Sequence, residues 1–196
     1  MAAWHWLASW EAVAVLLGVA YLLLAARESL WCWYAAFAST AIFLVLFWQV
    51  RLYLESALQV YYLAMAVYGW WQWQRPGEAR TLAISRFGAR AHGLVIGGVL
   101  ALSALSGALL SRYTDAALPY LDAFTTWGAI VTTWMVARKI LENWLYWIVI
   151  DSASIVLYLD RGLLLTAALF AAYVVICIAG FLAWRRHYRV AAAVSG

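Results

Sequence analysis

Residues 93–110 read GLVIGGVLALSALSGALL and contain no charged side chain. An unbroken apolar run of this length is typical of a helix that crosses a lipid bilayer, because the hydrocarbon core takes about 20 helical residues to span. The run also contains several glycines, which let neighbouring helices approach closely in lipid. We therefore predict that the middle of the chain is a membrane helix packed tightly against its neighbours.

The rest of the chain has the same apolar character. Of its 196 residues, 68% are hydrophobic and 11% are charged, and the mean hydropathy is +0.84. Soluble domains are about half apolar and about a quarter charged, so this chain could not cover its own surface in water. The net charge of +4 comes from basic residues scattered between apolar runs. We expect an all-α membrane protein that binds no nucleic acid.

Charged residues divide the chain into apolar segments of membrane-spanning length. A membrane barrel would instead alternate apolar and polar residues with a period of two. The amino-terminal stretch MAAWHWLASWEA has no basic start, so we expect the first helix to be retained rather than cleaved as a signal peptide. The seven predicted helices cover residues 10–26, 30–48, 54–73, 93–111, 117–137, 144–159 and 163–184.

The basic residues are distributed unequally between the two sides that seven alternating helices define. If the amino terminus lies outside, one side holds Arg27, Arg75, Arg80, Arg86, Arg90, Arg138, Lys139, Arg185, Arg186 and Arg189. The other side holds only Arg51, Arg112 and Arg161. Because cytoplasmic loops are enriched in Lys and Arg, we predict an external amino terminus and a cytoplasmic carboxyl terminus.

The chain also matches itself when it is shifted by 111 residues, which aligns 11–73 with 122–184. Matches between Leu and Ala could arise by chance, but rarer residues match as well: Arg27 with Arg138, Trp33 with Trp144, Tyr62 with Tyr173, Gly69 with Gly180 and Trp73 with Trp184. Two three-helix units point the same way only if one more helix separates them. We predict a 3+1+3 plan with repeats at 10–73 and 117–184 and a linker helix at 93–111, as in transporters built from parallel repeats.

The sixth segment contains the polar residues that we single out as a candidate site. Asn143, Trp147 and Asp151 are spaced by four residues and so share one face of a helix. Such groups are costly in lipid, about 2.5–3.5 kcal/mol for Asp, and therefore mark functional sites. An amide, an indole and a carboxylate in one line could bind a flat cationic ring. The structural alternative is that Asn143 and Asp151 bond to neighbouring helices while Trp147 lies at the interface.

Further polar and aromatic side chains complete the predicted site. Gln59 and Tyr62 share a face of the third segment with Glu55, and Gln59 lies well inside the span. Trp33 and its repeat partner Trp144 are also candidates, although both could be structural anchors at helix ends. The chain has 14 Trp and 12 Tyr, more than two interfacial belts need, which favours rings that face a ligand.

Several other functions need residues that the sequence lacks. Its His residues lie near segment ends and its two Cys form no ligand pattern, so we predict no metal and no cofactor. Its one Lys, Lys139, lies at a segment boundary and cannot form a retinal Schiff base in the seventh helix. No GxSxG, Walker A or HExxH motif is present. We expect a transporter rather than a membrane enzyme, which would need a nucleophile or metal cluster at one membrane face.

Three stretches of the chain resemble a known family. Residues 138–147 read RKILENWLYW and are followed by Asp151. The third segment has LQV at 58–60 and YGW at 68–70, followed by Trp73, and WEAV occupies 10–13. These stretches are similar to the helix motifs of the PnuC family of bacterial vitamin transporters, and the resemblance covers about residues 10–184.

The resemblance implies seven helices in 3+1+3 order, similar to SWEET sugar transporters, in the bacterial inner membrane. The best-known substrate of the family is nicotinamide riboside. We hypothesise facilitated diffusion, with alternating access between two repeats and trapping inside by phosphorylation. Gln59, Asn143 and Trp147 would hold the nicotinamide. Relatives carry thiamine or riboflavin, so both vitamins stay as alternatives, and Asp151 would suit a cationic one. The expected partners are a vitamin and the lipid bilayer, while a homo-oligomer and an energising partner subunit stay open.

Overall fold

The computed structural model describes residues 2–49, 53–74, 82–114, 118–160, 162 and 164–195. The described residues form seven helices, which confirms the all-α prediction. They are α1 (Ala2–Ala26), α2 (Trp31–Gln49), α3 (Tyr53–Gln74), α4 (Ala89–Tyr113), α5 (Pro119–Ala137), α6 (Asn143–Asp160) and α7 (Leu164–Ser195). Each overlaps one predicted segment to within two residues at most ends, but α1 begins earlier and α7 continues past Trp184. Arg51, Arg75, Arg80 and Arg161, which enter the predicted topology, lie outside the described residues.

Four of the described helices are long and apolar enough to cross a membrane on length and hydropathy alone. The qualifying stretches are Ser9–Ala26, Trp31–Gln49, Ala89–Tyr113 and Thr166–Ala193. The other three helices, α3, α5 and α6, are interrupted by polar side chains such as Gln59, Thr132 and Asp151. The predicted polar residues Gln59, Asn143 and Asp151 therefore lie on helices that each have a polar face as well as apolar ones.

The chain divides into two compact units, Met1–Ala83 and Ile84–Gly196. In the first unit, α2 packs against both α1 and α3. In the second unit, α5 packs against α4 and α6, and α6 packs against α7. The predicted linker helix α4 therefore belongs to the second unit. The 3+1+3 order itself stays a prediction.

The turn after α1 and the turn after α5 have the same hydrogen-bond pattern. Glu28 and Lys139 both have a left-handed backbone, with φ of 54° and 50°. After α1, the Ser29 N–H donates to the Leu24 carbonyl at 2.9 Å. After α5, the Ile140 N–H donates to the Met135 carbonyl at 3.0 Å. These six-to-one bonds define the Schellman motif, in which Gly usually takes the left-handed position.

A tryptophan packs against a glycine in each unit. Trp33 of α2 lies against Gly69 of α3, and its ring meets that of Trp73 edge to face, with centroids 5.3 Å apart at 86°. In the second unit Trp144 of α6 lies against Gly180 of α7, and its ring meets that of Trp184 at 5.4 Å and 88°. All four indoles are buried. Because neither glycine has a side chain, each indole reaches the backbone of the adjacent helix.

We predict that Gly180→Ala lowers the melting temperature of the purified protein. The added Cβ would lie 2.8 Å from the Trp144 ring, and overpacking of this kind costs about 1–3 kcal/mol, more than the roughly 1 kcal/mol that Ala gains over Gly in a helix. Gly69→Ala should behave in the same way against Trp33. Thermal unfolding in detergent measures both variants.

Gly97→Ala is the matched control, since a Cβ on Gly97 meets nothing within 4 Å. Its melting temperature should stay the same or rise. Equal destabilisation by Gly97→Ala and Gly180→Ala would show that the contact with Trp144 does not set the helix spacing.

Candidate functional site

Asn143 begins α6 and lies fully inside the protein. The preceding Schellman turn brings its backbone N–H to the Ile140 carbonyl at 3.1 Å, and its side-chain Nδ2 donates to the same carbonyl at 2.7 Å. The side chain is 0% exposed, and among the described residues its Oδ1 has no hydrogen-bond partner. A buried carbonyl oxygen without a partner is unfavourable, and Asn143 therefore keeps one unused hydrogen-bond acceptor.

Asp151 lies two turns further along the same face of α6. It is buried, and the Cys177 thiol of α7 donates to its Oδ2 with a sulfur–oxygen distance of 3.8 Å. Tyr173 lies one turn before Cys177 on α7. Trp147 lies between Asn143 and Asp151 and is half-buried. The α6 set of Asn143, Trp147 and Asp151 therefore has the predicted spacing, with α7 packed beside Asp151.

The polar residues of α3 lie in the first unit. Gln59 and Tyr62 are half-buried, and the Tyr62 ring meets the Tyr61 ring at a centroid distance of 5.5 Å and 60°. The side chain of Glu55 lies outside the described residues. Gln59 and Tyr62 stay predicted ligand contacts.

Trp33 and Trp144 have less freedom to bind a ligand than the other candidates. Trp33 is 2% exposed and Trp144 is 1% exposed. The ring of Trp33 packs against Gly69 and Trp73, and that of Trp144 packs against Gly180 and Trp184. Among the described residues, however, neither indole Nε1 has a hydrogen-bond partner. Their contacts fit an anchoring role, and the ligand role predicted for them rests on the Nε1 groups alone.

Ionic and hydrogen-bonded contacts at the start of α6 were not predicted from the sequence. Arg86 Nε donates to Glu142 Oε1 at 2.8 Å, and the Phe87 N–H donates to Glu142 Oε2 at 3.2 Å. Ser85 pairs with the turn before α6, since its N–H donates to Lys139 and its carbonyl accepts from Leu141. The hydrogen bond and the charge of Glu142 raise the pKa of the Arg86 guanidinium. Glu142, which directly precedes Asn143, therefore holds the segment before α4 against the start of α6.

The described residues contain no group of three or more His, Cys, Asp or Glu arranged to hold a metal ion. What the α6 set can do chemically is accept hydrogen bonds at Asn143, stack a flat ring on Trp147 and attract a positive charge to Asp151. This combination suits reversible binding of a small aromatic molecule.

Comparisons with known proteins agree with a transporter. The family model for the nicotinamide mononucleotide transporter matches residues 8–186. The nicotinamide riboside transporter PnuC of Escherichia coli is 26% identical over 181 residues, covering 79% of this chain and 76% of that protein. The riboflavin/roseoflavin transporter RibM of Streptomyces davaonensis is 29% identical over 181 residues, covering 89% and 83%. The crystal structure of the vitamin B3 transporter PnuC has the same fold, with a TM-score of 0.71 at 20% identity, covering 92% of this chain and 82% of that one.

We predict that Cys177→Ala destabilises the protein more than Cys32→Ala does. Both thiols are buried, but only Cys177 donates to Asp151, and a buried acceptor that loses its donor costs about 1–3 kcal/mol. Cys177→Ser retains a donor and should recover part of the loss. Thermal unfolding of the three variants in the same detergent measures the difference.

The Asp151→Leu background, which removes the acceptor at similar side-chain volume, provides the second arm of this test. If Cys177→Ala costs as much in that background as it does in the unmodified protein, the thiol acts by filling space and the contact with the carboxyl group contributes nothing.

Proposed function

The chain belongs to the nicotinamide mononucleotide transporter family, and from this premise we propose that it carries nicotinamide riboside across the membrane. The family and its relatives make it a multi-pass membrane protein of a vitamin-transporter family. The observation that carries the choice of substrate is the α6 set, in which Asn143 presents an unpartnered Oδ1 in line with Trp147 and Asp151.

Each residue of the α6 set fits one part of nicotinamide riboside. The carboxamide has N–H donors for Asn143 Oδ1. The flat pyridinium ring can stack on the Trp147 indole, and its positive charge gains from both the ring face and a nearby carboxylate. Asp151 supplies that carboxylate. Gln59, with a second amide, is proposed as a further contact to the vitamin.

The proposed transport mechanism is facilitated diffusion with alternating access, followed by phosphorylation in the cytoplasm, which keeps the internal concentration of free vitamin low. Matching contacts in the two units support a transporter with an internal duplication. Glu28 and Lys139 take the same backbone conformation, and Trp33 and Trp144 pack in the same way against glycine. Each of these pairs is separated by the same 111 residues that relate the two halves of the sequence.

The proposed orientation places the amino terminus outside and the carboxyl terminus in the cytoplasm. Arg185, Arg186 and Arg189 support this orientation, since all three side chains are exposed on the last turns of α7 and basic residues are enriched on the cytoplasmic side.

Riboflavin is the second candidate because the RibM relative is 29% identical and covers more of this chain than PnuC of Escherichia coli does. The flavin ring system also offers an N–H group to Asn143 and a flat face to Trp147. It carries no positive charge, however, so Asp151 contributes less to its binding. Thiamine stays in the comparison because it is cationic and Asp151 would suit its positive charge.

We predict that the purified protein binds nicotinamide riboside more tightly than riboflavin or thiamine. Isothermal titration with the three vitamins measures the order directly. Asp151→Asn should weaken binding of nicotinamide riboside while leaving riboflavin affinity within about threefold, because only the cation interacts with the carboxylate charge. Tighter binding of riboflavin by the unmodified protein would reassign the substrate within the family. If all three vitamins bind with a dissociation constant above about 1 mM, the proposal is overturned.

We also predict that Trp147→Ala reduces uptake of nicotinamide riboside into proteoliposomes by about tenfold or more. A desolvated cation–π contact contributes about 2 kcal/mol, and about 1.4 kcal/mol corresponds to a factor of ten in affinity. Trp147→Phe keeps an aromatic face and should retain more uptake than Trp147→Ala.

Trp31→Ala is the control for loss of an indole, since Trp31 is 68% exposed on α2. It should leave uptake unchanged. If Trp147→Ala folds normally and transports as well as Trp31→Ala, the vitamin does not bind at this face of α6.

A further inference from the structure

A groove of about 530 Å³ lies within the second unit, between α4, α5 and α6. We call it the α4–α6 groove. Its lining includes Arg86, His92, Leu100, Glu142, Tyr146 and Val149. The transport mechanism proposed above does not use this groove.

The α4–α6 groove is polar at one end and apolar along the rest of its length. Arg86, His92 and Glu142 lie where α4 and α6 begin. Leu100 lies eight residues after His92, and Ile150 lies eight residues after Glu142, which corresponds to about 12 Å of helix in each case. The hydrocarbon core of a bilayer is about 30 Å thick. The apolar part of the groove is therefore close to the depth of one leaflet.

The polar end has hydrogen-bond donors to spare. Arg86 uses Nε for Glu142, and its side chain is 58% exposed, so its guanidinium can also meet a group at the mouth of the groove. His92 shares a 2.8 Å hydrogen bond with the Tyr146 hydroxyl through Nδ1, and the two rings stack at 14°, which leaves Nε2 available. A guanidinium and an imidazole that line the same groove can both donate hydrogen bonds to a phosphate group.

The α4–α6 groove is distinct from the candidate vitamin site. Leu145 and Val149 line the groove, whereas Asn143 and Trp147 belong to the α6 set. Each groove residue follows its site counterpart by two positions, which is about 200° around a helix with 3.6 residues per turn. The two features therefore use different faces of α6.

We propose that the α4–α6 groove binds one anionic phospholipid. Its phosphate lies at Arg86 and His92, and one acyl chain lies against Leu100 and Val149. A lipid fits better than a soluble anion because the exposed guanidinium of Arg86 lies at the mouth, paired through Nε with Glu142, while the apolar part of the groove has leaflet depth. Basic side chains between membrane helices recognise lipid headgroups. This inference does not depend on which vitamin the protein carries.

The test titrates the full-length protein, stripped of lipid in detergent, with phosphatidylglycerol or phosphatidylcholine of identical acyl chains. Native mass spectrometry counts the bound lipid, and thermal unfolding reports the stabilisation. We expect phosphatidylglycerol to bind at least about fivefold more tightly, as one additional ionic contact allows. Equal affinity for the two lipids would overturn the proposal.

Substitutions locate the bound lipid. Val149→Trp fills the apolar part of the groove and should abolish this binding. Val156→Trp is the control, since it lies two turns along the same face of α6 and outside the groove, and the two valines are 57% and 55% exposed.

The double variant R86Q/E142Q keeps a neutral hydrogen-bonded pair and should lose the preference for phosphatidylglycerol. The control R185Q on α7 should keep that preference. Should Val149→Trp fail to fold, Leu100→Trp with Leu105→Trp as its control replaces it. Retained preference in R86Q/E142Q, or equal binding by a groove variant and its control, contradicts the assignment.

Discussion

The contact between an indole and a glycine sets the position of the helices that contain the candidate site. Trp144 lies against Gly180 and meets Trp184 edge to face, so the rotation of α6 about its own axis is fixed against α7. Once that rotation is fixed, the spacing of four residues places Asn143, Trp147 and Asp151 on one face. In lipid, where apolar surface gives little preference between helices, close van der Waals packing of this kind is a main source of specificity. The orientation of the polar residues therefore depends on an apolar contact.

The start of α6 is fixed a second time, by polar contacts. Lys139 takes the left-handed conformation that turns the chain out of α5, and Glu142 bonds both Arg86 and the Phe87 N–H. Asn143 follows directly, with its Nδ2 used locally and its Oδ1 left without a partner among the described residues. A buried polar atom without a partner lowers stability. Substrate binding is a function that would explain why such an atom is present. The rigid surroundings of Asn143 favour such a role, since a preorganised acceptor loses little entropy when a ligand binds.

Part of this arrangement could be predicted from the sequence because it depends on local composition or regular spacing. The apolar runs gave the seven helices to within a few residues for most ends. The apolar run after Leu164 ends before Arg185, but α7 continues to Ser195. The Arg residues end the hydrophobic span, but Arg and Ala both favour the helical conformation, so the helix does not end there. The turns at Glu28 and Lys139 were not predicted, since neither position has the Gly that signals a left-handed residue. The Arg86–Glu142 pair joins residues 56 positions apart, which no helical spacing relates.

The aromatic residues show where reasoning from residue type reaches its limit. Trp33, Trp144 and Trp147 are chemically identical, and the sequence favours all three as ligand contacts because rings are in surplus. Burial separates them: two are almost fully enclosed by glycine and indole neighbours, while Trp147 stays half-buried. An indole that packs against a helix backbone has its faces occupied and can offer a ligand only its Nε1, whereas a half-buried indole still has surface on which a ring can stack. Of the two tryptophans of α6, Trp147 therefore has surface on which a ligand could stack, whereas Trp144 packs against the neighbouring helix and holds α6 in place.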